Sequence, residues 1–389
     1  MDSNTNRPDY TGGGIVNLAA SLIEARGGRP RAPTLRALPT AELAAARHVV
    51  LVVLDGLGSR WLARHAPGSL LAQRQVTELT SVFPPTTASA VTTFLTGLAP
   101  QQHGLTGWFM WFRELGCVMS VLPGTPRYGG VGYGKAGVDL QRLLGHESLF
   151  AQLATPSVAV SPSWIARSDF NLAHLGPARL LTYKSLKQMF RRAARAIRQA
   201  REPSFFYLYW PGLDGIGHEQ GIESPQALAH FNEIDARLAD FTRAIAGTDT
   251  AVLVSADHGH LDRGPDDIVA LADHPDLADC LALPLCGEPR AAYCYVRPDR
   301  VERFTAYCRD VLGDRFALHR SQDLMTTGLF GDGPPHPRLA ERIGDFTLIS
   351  RGRALIHEQL PTEDTFEQIG VHGGLSAEEL YVPLCLVRA

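Results

Sequence analysis

Three runs of apolar and aromatic residues in this chain are each followed, within a few positions, by an acidic side chain. The runs are His48–Leu54, Phe205–Trp210 and Ala251–Val254. A strand with one face in water alternates apolar and polar residues, whereas a strand covered on both faces of a parallel sheet is apolar almost throughout. The three runs therefore predict an α/β fold built around a mostly parallel sheet.

Asp55, Asp214 and Asp257 are the acidic residues that follow these runs. Open α/β sheets place their sites just beyond the carboxyl ends of the strands. Desolvating an anion without a partner costs several kcal/mol, so a cation should meet these carboxylates. An alternative for Asp55 and Asp257 is capping of the next helix, which for Asp55 taken alone is the commoner role. The spacing of Asp214 and His218 suits one face of a helical turn, although Gly215 and Gly217 favour a looser loop.

Three imidazoles accompany the three carboxylates, and all six side chains are predicted to lie in turns. Together they suffice for two divalent ions with mixed nitrogen and oxygen ligation. Such ligands without thiolate suit zinc, with manganese or iron as alternatives. The predicted ligands are Asp55, Asp214, His218, Asp257, His258 and His372.

The composition restricts the partners and the compartment. The chain has 389 residues, of which 45% are hydrophobic and 20% charged, and its formal net charge is −3. This charge provides no general attraction to nucleic acid or anionic lipid. The six cysteines show no metal-ribbon spacing, which favours buried thiols in a reducing compartment. Because no stretch reaches the ~18 apolar residues of a membrane span, we expect a cytoplasmic protein.

Two prolines and a series of hydroxyl residues precede Gly97 and predict a helix that begins near Thr86 or Thr87 and ends at the glycine. A hydroxyl at a helix N-terminus lies beside free N–H groups and the positive end of the helix dipole, which favour an anion. The alternative is an ordinary threonine cap, and local evidence alone favours it.

The remaining segments suggest a division of the chain. Residues 1–14 are expected to form a mobile arm, and residues 261–370, with scattered Pro, Asp and Gly, a smaller inserted subdomain. Residues 15–260 and 371–389 are then the α/β core. An aromatic cluster, 108–112, suits either the stacking of a flat group or core and lid packing. The basic helix predicted over 186–201 suits a solvated surface better than a nucleic-acid face.

Several short motifs in this chain occur in an order that resembles the nucleotide pyrophosphatase/phosphodiesterase branch of the alkaline phosphatase superfamily. The resemblance spans roughly residues 49–387 and depends on order and spacing, because each motif alone is short. The motifs are Asp55-Gly56, Phe83-Pro84-Pro85-Thr86-Thr87, Thr96-Gly97-Leu98, His103-Gly104, Asp214-x-x-x-His218, Asp257-His258-Gly259 and His372-Gly373.

The resemblance implies a doubly wound α/β core that carries two zinc ions and a threonine nucleophile. The interval to Thr96-Gly97 places Thr87, rather than Thr86, at the nucleophile position. Thr87 is then expected to attack phosphorus and form a phosphothreonine intermediate, which water hydrolyses. The implied ligands are Asp214, His218 and His372 for one ion and Asp55, Asp257 and His258 for the other, with Thr87 between them.

The expected substrate is a small phosphorylated molecule, with a nucleotide as one candidate, and no stable nucleic-acid or membrane partner is expected. The resemblance leads us to expect an asparagine three residues after the nucleophile, where this chain has Ala90. Ser89 is a candidate substitute, and Trp108 is a candidate for substrate stacking. A phosphomonoesterase or phosphonate hydrolase would use the same site. A non-catalytic binding protein on the same scaffold is a further alternative.

Overall fold

The central sheet of the computed structural model contains seven strands in the order β2-β18-β9-β1-β8-β6-β7. The structure describes residues 6–361, 363 and 367–389. Its strands within those residues are β1 (His48–Leu54), β2 (Gln75–Thr80), β3 (Phe109–Phe112), β4 (Cys117–Ser120), β5 (Thr125–Pro126), β6 (Ser157–Pro162), β7 (Arg179–Tyr183), β8 (Ser204–Trp210), β9 (Thr250–Ser255), β10 (Leu261–Asp262), β11 (Ile268–Ala270), β12 (Cys286–Glu288), β13 (Ala291–Cys294), β14 (Phe316–Arg320), β15 (Phe346–Ser350), β16 (Leu355–His357), β17 (Gly370–Val371) and β18 (Tyr381–Arg388).

Helices of very different length connect these strands. Short 3₁₀ turns occur at Pro265–Asp267, Leu271–Asp273 and Pro298–Arg300. The α-helices are α1 (Ile15–Ala25), α2 (Thr40–Ala45), α3 (Ser59–His65), α4 (Leu70–Gln73), α5 (Thr87–Thr96), α6 (Pro100–His103), α7 (Leu140–Leu144), α8 (Leu149–Gln152), α9 (Asp169–Leu175), α10 (Leu186–Gln199), α11 (Gly212–Gln220), α12 (Pro225–Ala244), α13 (Pro275–Ala278), α14 (Val301–Asp310), α15 (Ser321–Thr326), α16 (Leu339–Arg342) and α17 (Ala377–Leu380).

The middle of the central sheet is parallel. Strands β9, β1, β8, β6 and β7 run in one direction, and β18 is antiparallel to both of its neighbours. Every residue of β1 and β9 is buried, so both faces of the sheet are covered there. This burial explains the uninterrupted apolar runs in the sequence, and the predicted doubly wound, mostly parallel α/β fold is confirmed.

Strand register brings the acidic turns to the same level of the sheet. Leu54 of β1 is paired with Trp210 of β8, and Val53 of β1 with Ser255 of β9. The three strands therefore end together. The segments that follow them, including Asp55 and Asp257, emerge side by side at the carboxyl edge of the sheet.

A second sheet of seven strands, ordered β14-β15-β13-β12-β3-β4-β5, combines two distant parts of the chain. Strands β3, β4 and β5 come from residues 109–126, and the other four come from residues 286–350. The predicted inserted subdomain, 261–370, contains those four strands. Its residues 362 and 364–366 lie outside the described residues, and the division into core and insertion stays a prediction.

Described residues of the predicted N-terminal arm contact both parts of the structure. The hydroxyl of the buried Tyr10 donates a hydrogen bond to the carbonyl of Leu329 at 3.0 Å and accepts one from the backbone N–H of Phe83 at 3.2 Å. The backbone N–H of Asp9 donates to Thr80 Oγ1 at 2.7 Å. Residues 1–5 of the predicted arm lie outside the described residues.

None of the helices formed by residues 6–361, 363 and 367–389 combines the length and the hydropathy that a bilayer crossing requires.

A buried ion pair joins the second sheet to the end of the chain. Arg290, between β12 and β13, donates from Nε and Nη2 to the two carboxylate oxygens of Glu379 at 2.7 and 2.9 Å. Both side chains are at most 1% exposed. Burial raises the pKa of the Glu379 carboxyl, but the adjacent guanidinium outweighs it and holds that pKa below its usual range. The pair fixes α17 and, through it, the start of β18.

Breaking this pair should destabilise the whole protein. We expect Arg290→Met to lower the free energy of unfolding by about 3–5 kcal/mol, because it leaves a buried carboxylate without its partner. The double variant Arg290→Met/Glu379→Leu should recover much of that loss in urea unfolding experiments. Arg303→Met, which removes an exposed pair with Asp276, is the control. Equal stability of the Arg290 and Arg303 variants would contradict this role.

Candidate active site

Asp55, Asp257 and His258 form a buried group at the ends of β1 and β9. His258 Nε2 lies 3.3 Å from Asp55 Oδ1 and 3.6 Å from Asp257 Oδ2. The other oxygens of the carboxylates are engaged: the hydroxyl of Tyr209 donates to Asp55 Oδ2, and the backbone N–H of Gly56 donates to Asp257 Oδ1 at 3.2 Å. These bonds orient one free oxygen of each carboxylate toward the imidazole. The three side chains have the spacing of ligands to a single ion.

A second group surrounds Asp214. Its Oδ1 atom lies 3.3 Å from His218 Nε2, 2.8 Å from His260 Nε2 and 3.8 Å from His372 Nε2. The four ligand atoms are close enough for one ion. The two groups are adjacent, because the rings of His258 and His372 stack with centroids 3.7 Å apart.

The prediction of a loop around Asp214 and His218 is wrong, since both residues belong to helix α11. Glycine costs a helix about 1 kcal/mol relative to alanine, but at Gly217 close packing favours it. A Cβ on Gly217 would lie 3.3 Å from the His260 ring. The helical turn places Asp214 and His218 on the same face, as their spacing alone had suggested.

Backbone carbonyls orient three of the imidazoles. The Nδ1 atoms of His218, His258 and His372 lie 2.8, 3.1 and 3.3 Å from the carbonyl oxygens of Gly370, Gly259 and Pro85. When Nδ1 carries the proton and donates to a carbonyl, the lone pair of Nε2 is free to bind a metal. The three rings are thereby held with Nε2 toward the carboxylates.

The charges of these groups fit divalent cations. Asp55 Oδ1 and Asp257 Oδ2 are buried and have no hydrogen-bond partner among the described residues. Burial, the neighbouring Asp257 and then Asp214 raise the pKa of Asp55 well above its ordinary value. Burial alone would lower the pKa of His218, but Asp214 raises it to about 9. Two free carboxylate oxygens and several imidazole nitrogens suit an ion that accepts nitrogen and oxygen ligands.

Thr87 lies against the first group. It is the first residue of α5, and its Oγ1 is 3.2 Å from His258 Nε2. Thr86 is the residue before the helix, and Gly97 ends it with φ +72°, in the left-handed region that favours glycine. The structure thus brings together Thr87 and all six predicted ligands, and the predicted bounds of this helix are confirmed.

The sequence profile of the family described as type I phosphodiesterase/nucleotide pyrophosphatase matches residues 49–375. The chain belongs to this family. Its members are divalent-metal enzymes, and the resemblance expected from the motifs is confirmed. The protein is accordingly a metal-dependent hydrolase that acts on phosphoric ester or anhydride bonds.

Solved structures of low sequence identity share the fold. Murine ectonucleotide pyrophosphatase/phosphodiesterase 5 has a TM-score of 0.67 at 16% identity, with 86% of this chain and 87% of that chain covered. An inactive threonine-to-alanine variant of the murine protein, in complex with AMP, has a TM-score of 0.66 at 16% identity, with 86% of this chain and 87% of that chain covered. Phosphonoacetate hydrolase from Sinorhizobium meliloti 1021, in complex with phosphonoformate, has a TM-score of 0.63 at 16% identity, with 88% of this chain and 90% of that chain covered.

A cavity of about 420 Å³ adjoins the metal-ligand groups in this member of the family. Asp55, Thr87 and Asp214 lie at its polar end. Its walls are mainly apolar, with a few hydroxyl and amide groups and, among the described residues that line it, no lysine or arginine. The wall residues are Val91, Leu95, Trp108, Leu122, Pro123, Ser161, Trp164, Ile165, Ser168, Phe170, Asn171, Tyr207, Tyr209 and Pro211.

The predicted substrate contacts have different locations. Trp108 is 37% exposed and lines the cavity. Ser89 and Ala90 are buried within α5, and the hydroxyl of Ser89 donates to the carbonyl of Leu105 at 3.1 Å. An asparagine at position 90 would point into the core, so we omit Ser89 and Ala90 from the proposed substrate contacts.

Three residues that contact the site were not predicted from the sequence to be site residues. His260 could have been found from its position two residues after His258. Tyr209 belongs to the strand that leads to Asp214, but its aromatic neighbours hide it. Glu288 has no local signal, because it comes from the second sheet. It is buried in the structure, and burial raises its pKa to about 7.

His260 should strengthen metal binding by orienting Asp214. We expect His260→Asn to reduce zinc affinity by about 10–100-fold, because partners of metal-ligating carboxylates typically contribute that much. Competition with a chromophoric chelator measures the change. His274→Asn, which alters a histidine bonded to Tyr307, should leave zinc affinity unchanged. Wild-type zinc affinity in the His260 variant would show that its contact with Asp214 has no such role.

Proposed function

We propose that this protein hydrolyses a phosphodiester or pyrophosphate bond through a phosphothreonine intermediate on Thr87. The observation that carries the proposal is the position of the Thr87 hydroxyl. It lies 3.2 Å from His258, beside two groups of nitrogen and oxygen ligands, and it faces a cavity large enough for an organic substituent.

Two divalent ions, for which zinc suits the ligands best and manganese or iron are alternatives, are proposed as cofactors. Asp55, Asp257 and His258 would hold one ion. Asp214, His218 and His372 would hold the other. Bound there, the ions would supply positive charge that favours the threonine alkoxide and the developing charge on the leaving oxygen.

We assign His260 to orienting Asp214 rather than to a fourth protein ligand. A catalytic metal keeps a coordination position open for substrate or water, whereas four protein ligands would close the site. Burial lowers the pKa of His260, which favours the neutral ring with a single proton. With that proton on Nε2, the ring donates to Asp214 across 2.8 Å.

The proposed reaction has two steps, formation and hydrolysis of a phosphothreonine. The Thr87 hydroxyl gives its proton to solvent and Oγ attacks phosphorus, the bond from phosphorus to the leaving oxygen breaks, and that oxygen departs and takes a proton from solvent. Water then attacks the phosphothreonine, the Oγ–phosphorus bond breaks, and the Thr87 hydroxyl is restored. The product is a phosphate monoester when the substrate is a diester. The N–H groups at the start of α5 are placed to bind phosphoryl oxygens in both steps.

The cavity favours a diester whose second substituent is flat and uncharged. Trp108, Trp164 and Phe170 provide aromatic surface, while Asn171 and two serines provide hydrogen-bonding groups. A nucleoside has this character, and a murine structure of similar fold contains AMP. The described lining has no cationic side chain for a substrate carboxylate, which makes a phosphonoacetate-like substrate the weaker candidate.

A cytoplasmic location is part of the proposal. All six cysteines are free thiols, and five of them are buried. Disulfides are rare in reducing compartments.

Replacing the nucleophile should abolish turnover without removing the metal. We expect Thr87→Ala to lower kcat for bis-p-nitrophenyl phosphate by about 10³-fold or more, since nucleophile removal has such effects in other covalent hydrolases. Thr87→Ser should retain measurable activity and permit detection of a phosphorylated peptide by mass spectrometry. Zinc content, measured by atomic emission, should equal that of the wild type. Full activity in a zinc-loaded Thr87→Ala protein would refute the assignment.

The exposed wall of the cavity should determine diester preference. Trp164 is 75% exposed. We expect Trp164→Ala to lower kcat/KM for bis-p-nitrophenyl phosphate by about fivefold, because stacking on an aromatic ring contributes about 1 kcal/mol. Turnover of p-nitrophenyl phosphate should change less than about twofold. Leu172→Ala, an exposed apolar residue outside the cavity lining, is the control. Equal loss for both substrates would contradict the cavity's role.

A further inference from the structure

Glu288 reaches the active site from the second sheet. It is the last residue of β12 and is 6% exposed. Its Oε1 accepts one hydrogen bond from Thr86 Oγ1 and one from the backbone N–H of Trp108, each at 2.7 Å. Thr86 directly precedes Thr87, and Trp108 lines the cavity. One carboxylate thus contacts both the start of α5 and the cavity wall.

The bond from Thr86 is unusual for a residue at its position. A threonine before the first turn of a helix ordinarily accepts a hydrogen bond from the second or third helical N–H group. Thr86 has the extended backbone of a cap, with φ −144° and ψ 152°, but its side chain makes no capping bond. Its hydroxyl donates to Glu288 instead. Glu288 therefore draws the capping group away from the helix end.

Because Thr86 makes no capping bond, N–H groups at the start of α5 have no acceptor from that side chain. Among the described residues, none accepts a hydrogen bond from the N–H of Thr87 or Ala88. These groups lie at the positive end of a ten-residue helix, where an anion is favoured. A capping hydroxyl would occupy this end and compete with a phosphoryl oxygen.

Glu288 also contacts the turn that carries His372. Gly373 has φ +109°, and a Cβ there would lie 2.9 Å from Glu288 Cβ. The side chain is thus confined between the start of α5, the cavity wall and the histidine turn. In this position the Oε1 atom of the carboxylate accepts the hydrogen bond from Thr86.

We propose that Glu288 is a positioning residue that holds the Thr86 hydroxyl away from the N-terminus of α5, so that the N–H group of Ala88, next to that of Thr87, stays free for phosphoryl oxygens. This inference rests on the proposed function. It goes beyond it by assigning a part of the phosphoryl-binding site to a residue of the second sheet.

The first test removes Glu288 and then the competing hydroxyl. Zinc-loaded proteins are titrated with orthovanadate by calorimetry, and kcat and KM are measured with bis-p-nitrophenyl phosphate. Glu288→Gln keeps an acceptor oxygen without the charge, so its vanadate affinity should stay within about threefold of wild type. Glu288→Ala frees Thr86 to cap the helix, and affinity should fall about tenfold or more. Glu288→Ala/Thr86→Val has no capping hydroxyl and should recover to within about threefold.

The second test leaves Glu288 in place. Asparagine is a strong capping residue, and its amide can donate to Glu288 while its oxygen caps α5. Thr86→Asn should therefore keep or raise Tm while vanadate affinity falls about tenfold. If the contact between Thr86 and Glu288 had only a structural role, Tm and vanadate affinity would change in the same direction. This test holds even where Glu288→Ala fails to fold.

Three results would each overturn the inference. The first is equal vanadate affinity in the Ala and Gln variants of Glu288. The second is a double variant that binds vanadate no better than Glu288→Ala alone, and the third is an unchanged vanadate affinity in Thr86→Asn. A different result would refute the proposed function alone. If the variants bind vanadate in the expected order but the wild-type protein does not hydrolyse the diester, the role of Glu288 is retained and the proposed reaction is excluded.

Discussion

Repulsion between buried carboxylates is the constraint on which this site depends. The register of β1 and β9 brings Asp55 and Asp257 to the same edge of the sheet, where neither is exposed to water. Each has one oxygen satisfied by a neighbouring donor and one without a partner among the described residues. Two like charges in this setting favour the binding of a cation, because desolvation is not offset by hydrogen bonds alone. The imidazoles complete a set of ligands rather than replacing the cation.

Different layers of the molecule contribute different chemistry. The carboxyl edge of the central sheet provides Asp55 and Asp257, helix α5 provides the proposed nucleophile, and helix α11 contributes Asp214 and His218 on one face. The second sheet contributes no ligand of the proposed ions. Through Glu288 it nevertheless contacts the start of α5 and the cavity wall.

The cavity separates binding of the phosphoryl group from recognition of its substituent. The polar end, with Asp55, Thr87 and Asp214, suits phosphate and its counter-charges, while the aromatic walls suit an apolar or flat group. This arrangement agrees with hydrolysis of a diester, in which one substituent leaves and the other stays attached to phosphorus. Family membership establishes the bond class, and the walls of this chain restrict the substituent.

Much of the metal-ligand set could be predicted because each member follows a buried strand or lies in a short motif. The apolar runs that form β1, β8 and β9 are local in sequence, and so are the pairs Asp214/His218 and Asp257/His258. Prediction failed where a residue's role depends on distant contacts. Glycines in α11 favoured a loop by propensity, but the His260 ring lies close enough to position 217 that a Cβ there would make a tight contact of 3.3 Å. Ser89 and Ala90 were near Thr87 in sequence, yet the turn of the helix directs both into the core.

The sequence by itself determined the strand pattern, the length of α5 and the chemical character of the ligands, because hydrophobic periodicity, caps and side-chain chemistry are carried by neighbouring residues. Only the tertiary structure decided that His260 contacts Asp214, that Tyr209 orients Asp55, and that Glu288 engages Thr86 across 202 positions of the chain. Such contacts arise when strand register and sheet packing bring separate segments together, and no local pattern specifies which side chains then meet.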